Sequence, residues 1–221
     1  MSIGIAVLLP DSTVLVADGR MRRFDAPGQP IISDDVNKIV LIGQSFALVT
    51  LGVGQITDPA AKQLEYDLQP HRPLNEVLDL VSLRLEEAWN VHAPHFPSAL
   101  DLTDPHMNAT LLIGGLAADK EFIGAAQHHY LGKRPIKVAT LSDSLQFMTL
   151  CVEQETASDY FEARLIEKLP YAESEQRVGL MIEAAAETVR FMETRDFSIG
   201  GTIRYLILRR GTLPEVGIHQ G

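Results

Sequence analysis

The sequence predicts an α+β fold arranged as a four-layer αββα sandwich, two mostly antiparallel sheets face to face with a helix pair on each outer side. Two observations carry this expectation. The apolar segments come in the order strands, two helices, strands, two helices, strand, which is a layered arrangement rather than strict βαβ alternation. The strand segments are also near-continuously apolar, so both of their faces need cover.

Residues 3–9 and 13–17 are β-branched or aliphatic, and Pro10-Asp11-Ser12 between them has turn chemistry, giving a hairpin. Residues 20–35 are largely polar, contain Pro27-Gly28 and Pro30, and read as a long connection. Residues 38–42 and 46–51 then form a second hairpin around Gly43-Gln44-Ser45. Thr57-Asp58-Pro59 predicts a helix start, with a capping oxygen and a proline in the first turn, and the helix runs to about Leu68. After Pro73, the residues Leu74, Val77, Leu78, Val81, Leu85 and Trp89 recur at helical spacing as one amphipathic stripe.

Residues 92–108 carry three prolines and three histidines without periodicity and read as a long loop, of the kind that is functional or mobile. Residues 110–114, 121–125, 136–139 and 145–152 supply a second group of strands. Helices occupy 158–169 and 175–193, the latter with Val178, Met181, Ile182, Ala185, Val189 and Met192 on one stripe, and 202–208 is a final strand. No repeat, low-complexity stretch or linker divides residues 1–221, which read as one domain.

Composition narrows the function. A hydrophobic fraction of 46% with 22% charged residues is that of a soluble globular chain. With 29 acidic against 19 basic side chains, the formal charge of -10 repels phosphate backbones and anionic lipid, so neither a nucleic-acid nor a membrane partner is expected. Cys151 is the only cysteine, which excludes an internal disulfide and a cysteine-rich zinc site and fits a reducing cytoplasmic location. The opening apolar run lacks a positive leader and a small-residue cleavage site, so it reads as a strand and not as a signal peptide.

Ser2 stands directly after the initiator methionine, and removal of Met1 would expose a hydroxyl and a free α-amine on one residue. An α-amine titrates at about 7.7–8.0, so near neutral pH it can serve as a general base beside its own nucleophile. Ser2 can equally be an ordinary small second residue. Four later segments set it in a pattern: Ala17-Asp18-Gly19-Arg20 closes a strand, Asn37-Lys38-Ile39 opens another, Leu51-Gly52-Val53-Gly54 leads into a helix, and Arg195-Asp196-Phe197-Ser198-Ile199-Gly200-Gly201 runs into the last strand.

This pattern resembles the proteasome β-subunit family of N-terminal nucleophile (Ntn) hydrolases and the bacterial proteasome-type ring peptidases related to it. The resemblance spans residues 2–60 and 175–211, and the middle only in the order of elements. It implies Ser2 as nucleophile, Asp18 and Lys38 as its charged partners, Gly52 as oxyanion donor and Asp196 as the group that orients the amine. Ser158 is the candidate for the family's helper serine, and it reads equally as a helix cap. Two residues depart from the family: Ser2 stands where the proteasome has threonine, and Ile199 where it has serine. Asp18 and Lys38 also read, without the pattern, as a structural ion pair.

By the same resemblance, Met21, Val36, Thr50 and Gly54 line the substrate pocket, an uncharged set that predicts cleavage after apolar residues. The implied activity is hydrolysis of peptide bonds in peptides or unfolded proteins, inside a homo-oligomeric ring, with no cofactor. The sequence is silent on ring size and on whether an ATP-driven unfoldase docks. Two rivals stay open: a catalytically silent scaffold that retains Met1, and a small-molecule amidase on the same fold. His92-Ala93-Pro94-His95, His106 and His128-His129 do not form a metal pattern, because Pro94 interrupts the first pair and no acidic partner is fixed by spacing. Cys151, in an apolar strand, reads as a buried thiol, and Asp101, Asp104, Glu173 and Glu175 as solvated charges.

Overall fold

A strand that is apolar at every position leaves one face unburied unless something packs on each side, and this chain supplies both covers. The computed structural model describes residues 2–23, 30–70, 72–96, 101, 103–104, 107–141, 145–173 and 176–220. In chain order the strands and helices are β1 (Gly4–Leu8), β2 (Ser12–Ala17), β3 (Met21–Arg22), β4 (Ile31–Ser33), β5 (Ile39–Ile42), β6 (Phe46–Gly52), α1 (Gly54–Asp67) and α2 (Leu74–His92). They continue as β7 (Ala109–Leu116), β8 (Glu121–His129), β9 (Gly132–Lys133), β10 (Lys137–Thr140), β11 (Gln146–Leu150), α3 (Gln154–Lys168), α4 (Arg177–Glu193), β12 (Ile203–Arg209) and β13 (Glu215–His219).

One sheet has the order β11-β1-β2-β12-β13 and the other β10-β8-β7-β6-β5, with every pairing antiparallel. Alternate residues of the central strands enter different cores. In the first sheet, Ile5, Val7, Val14 and Val16 pack under α3 and α4, while Ala6, Leu8, Leu15 and Ala17 face the other sheet. In the second, Phe46, Leu48, Leu111 and Ile113 pack under α1 and α2, while Ala47, Val49, Leu51 and Leu112 face inward. Three cores between four layers make an αββα sandwich. Among the described residues, no helix is long and apolar enough to cross a membrane.

Several boundaries differ from expectation for identifiable reasons. Helix α1 begins at Gly54, three residues before Thr57, because the N–H groups of Ile56 and Thr57 already donate to the Val53 carbonyl. Pro59 therefore lies inside the helix, where it has no N–H to donate to the carbonyl of Gln55. Likewise α3 begins at Gln154 instead of 158. The connection over 20–35 contains the short β3-β4 ribbon, and the C-terminal strand β13, which presents Val216 and Ile218 to solvent, adds an edge after β12. Met1, Pro27-Gly28, His106 and the expected helix start at Glu175 lie outside the described residues.

One interlayer contact titrates. His128 of β8 is buried and stacks on Trp89 of α2, with 4.6 Å between ring centroids, and burial pushes its imidazole below the ordinary value. A base whose folded pKa is depressed favours the neutral folded state, so its contribution holds above about pH 6.5 and falls as pH drops below that value. The urea midpoint should therefore decline between pH 7 and pH 5, and the decline should shrink in His128→Gln.

Candidate active site

Strands β1 and β2 pair with Gly4 opposite Ala17, so Ser2, just before β1, and Asp18, just after β2, emerge at the same end of the first sheet. In the facing sheet, Ile39 pairs with Val49, which brings Lys38 before β5 alongside the end of β6 at Gly52. Stacking the sheets then sets the lysine over the serine. Lys38 Nζ donates to Ser2 Oγ at 2.6 Å and to Asp18 Oδ1 at 2.9 Å.

Asp18 is the organising acceptor. Its Oδ1 also accepts the Ile3 N–H at 2.9 Å, and its Oδ2 accepts the N–H groups of Gly200 at 3.2 Å and Arg20 at 3.3 Å. Burial raises the Asp18 carboxyl, and Lys38 and the backbone donors from Ile3 and Gly200 work against that shift. Burial lowers the Lys38 ammonium, with Asp18 opposing. A lysine held below its ordinary range, within hydrogen-bond reach of a hydroxyl, can in its neutral form take the hydroxyl proton.

Ser2 and Lys38 open onto a cleft of about 1100 Å³. Its wall includes Gly52, Met21, Val36, Thr50 and Gly54, so the sequence's oxyanion candidate and all its pocket candidates come together there. Gly52 has a φ of 85°, and a Cβ at that position would strike the carbonyl oxygen of Asn108, so the turn from β6 into α1 requires glycine. Asp58, Lys62 and Glu65 of α1, with His92 and His95, also line the cleft. Sequence reading left these out of the site.

The remaining candidates sit elsewhere. Asp196 lies between α4 and β12 and is not on the cleft wall; its Oδ1 accepts both the N–H and the hydroxyl of fully buried Ser198, at 2.8 and 2.6 Å. Ser158 is inside α3, not at its cap, and its hydroxyl bonds Thr149 of β11. Cys151 is half-buried, with its thiol pushed up to about 12 by burial. Among the described residues, no group of three or more His, Cys, Asp or Glu is placed to hold a metal ion.

Arg20 fixes the loop that delivers Gly200. Its guanidinium bonds Asp34 and Glu193 and donates to the carbonyls of Phe197 and Ile199. The Ala-Asp-x-Arg context held this signal, since an arginine two residues beyond a buried acid can reach the loop that the acid also contacts.

The fold is shared with a solved structure titled Anbu (Gly-1) mutant from Hyphomicrobium sp. strain MC1, at a TM-score of 0.65 and 17% identity, covering 99% of this chain and 87% of that one. No family model matches the sequence, and no curated protein matches it. The likeness is one of fold.

The Asp18-Lys38 pair makes a direct prediction for stability. Asp18→Asn leaves Lys38 buried without a countercharge and should cost about 3–5 kcal/mol in urea unfolding at pH 7. Because the stranded lysine has a depressed pKa, raising the pH toward that of an unfolded lysine should recover part of the loss.

Proposed function

We propose that the protein is an amide hydrolase, a proteasome-type peptidase that uses Ser2 as its nucleophile. The observation that supports this is the 2.6 Å contact between Lys38 Nζ and Ser2 Oγ, anchored from behind by Asp18, at the edge of a cleft. Neutral Lys38 takes the hydroxyl proton as Oγ adds to the substrate carbonyl. The oxyanion forms beside the Gly52 N–H, a kind of contact whose loss typically costs about 10²–10³ in rate. The C–N bond breaks as the proton passes to the leaving amine, and water then hydrolyses the ester on Ser2. Removal of Met1 adds the Ser2 α-amine as a second proton acceptor. Self-assembly into a ring belongs to the same proposal and rests on the sequence resemblance and the shared fold; a monodisperse monomer in light scattering would remove it.

Intact mass is the primary test, and a mass short by one methionine is expected. Retained Met1 would block the amine and favour the silent scaffold. Ser2→Ala should abolish peptide turnover, and unchanged turnover would overturn the mechanism. The pH dependence has a defined sign: kcat/KM should rise with pH as Lys38 loses its proton, along a limb below the ordinary lysine value of about 10.4. Asp18→Asn removes the charge that favours the ammonium, so that limb should move to lower pH.

A further inference from the structure

We propose that β13 pairs with β13 of a second copy of this chain across a two-fold axis at Gly217, an inference independent of the catalytic reading. Strand β13 is the last strand of its sheet and pairs with β12 in unbroken register. In the facing sheet, the edge strand β5 lies against β12 and β2. The pairing sets the inward side of β13: Val216 stands opposite Leu206, a residue of the core between the sheets, and Ile218 follows on the same side. Yet Val216 and Ile218 are 59% and 53% exposed, so β13 overhangs the second sheet and points two apolar side chains past its edge.

An edge strand offers a row of backbone N–H and C=O groups to any extended chain, and proteins usually blunt it with lysine, proline or a bulge. Residues 215–219 contain neither lysine nor proline, and no bulge interrupts their pairing with β12. Their order, Glu-Val-Gly-Ile-His, is instead complementary to itself. In an antiparallel pair centred on Gly217, Glu215 faces His219 of the second copy, Val216 faces its Ile218, and Gly217 faces its own counterpart. The two ends have opposite character. Arg190 of α4 stands 3.3 Å from the His219 ring, so the Glu215 carboxylate meets a basic pair. Arg209 of the same copy bonds Glu215 at 3.2 Å and flanks it from the other side. Inward, Val216, Ile218 and their symmetry mates cover one another and lose apolar surface to water. Both copies use the same patch, as a two-fold interface requires, and two five-stranded sheets become one continuous sheet.

The contact is small, as weak interfaces are, and covalent trapping reads it directly. In Cys151→Ala protein, Val216→Cys and Ile218→Cys are made singly, and each is oxidised alone and in an equal mixture of the two. Opposed residues of an antiparallel pair have Cα atoms about 4.5–5.5 Å apart, within disulfide range, whereas each cysteine stands beyond about 7 Å from its own mate. The mixture should give a disulfide-linked dimer at about ten times the yield of either variant alone. Equal yields from all three samples mark random collision and overturn the proposal, as does monomer in every sample. Dimer from one variant in preference to the mixture places the axis elsewhere and overturns it too. The result depends neither on turnover by Ser2 nor on a ring built through other faces.

Discussion

The site is organised by one buried carboxylate. A charge removed from water costs several kcal/mol unless partners replace its hydration, and Asp18 finds those partners in four separate segments. Ile3 comes from the entry to β1, Arg20 from the exit of β2, Lys38 from the entry to β5 in the facing sheet, and Gly200 from the loop before β12. Satisfying one acid therefore fixes the relative height of the two sheets at this end. It also fixes the path of the last loop. The ammonium that balances the acid is left with a donor to spare, and that donor falls on Ser2 Oγ.

Around this pair, backbone constraints do the positioning. The loop before β12 approaches so closely that a Cβ at Gly201 would strike the Asp34 carbonyl oxygen, and Gly201 has a φ of 77°, which favours glycine. Arg20 holds the same loop through two of its carbonyls. On the other wall, Gly52 turns the chain directly from β6 into α1. The result is a cleft with a rigid strand end on one side and a helix face on the other, and the Ser2-Lys38 contact lies at its edge.

Much of the layering was legible because apolar periodicity is a local record of burial. Strands apolar on both faces, such as β1, β2 and β6, state that two layers cover them, and the stripes over 74–89 and 178–192 state which face of α2 and α4 is inside. The short ribbon β3-β4 and the edge strand β13 carried no such record. Apart from buried Arg22, their side chains are partly or largely exposed, and their backbone pairing defines them.

For the candidate site, the sequence and the resemblance it carries named the candidates Ser2, Asp18, Lys38 and Gly52, with Met21, Val36, Thr50 and Gly54 for the pocket, and all but Asp18 line one cleft. Tertiary structure alone decided what depends on distance and exposure. It set Lys38 against Ser2 Oγ, bound Ser158 to Thr149 away from the cleft, and paired Asp196 with Ser198. It also placed Asp58 inside α1 and on the cleft wall. The helix starts at Gly54 because Val53 already accepts its first hydrogen bonds, which puts Asp58 one turn after Gly54 on the face that lines the cleft. Residue type and spacing are properties of the chain, whereas helix phase, desolvation and contact between separate sheets arise only when the layers close on one another.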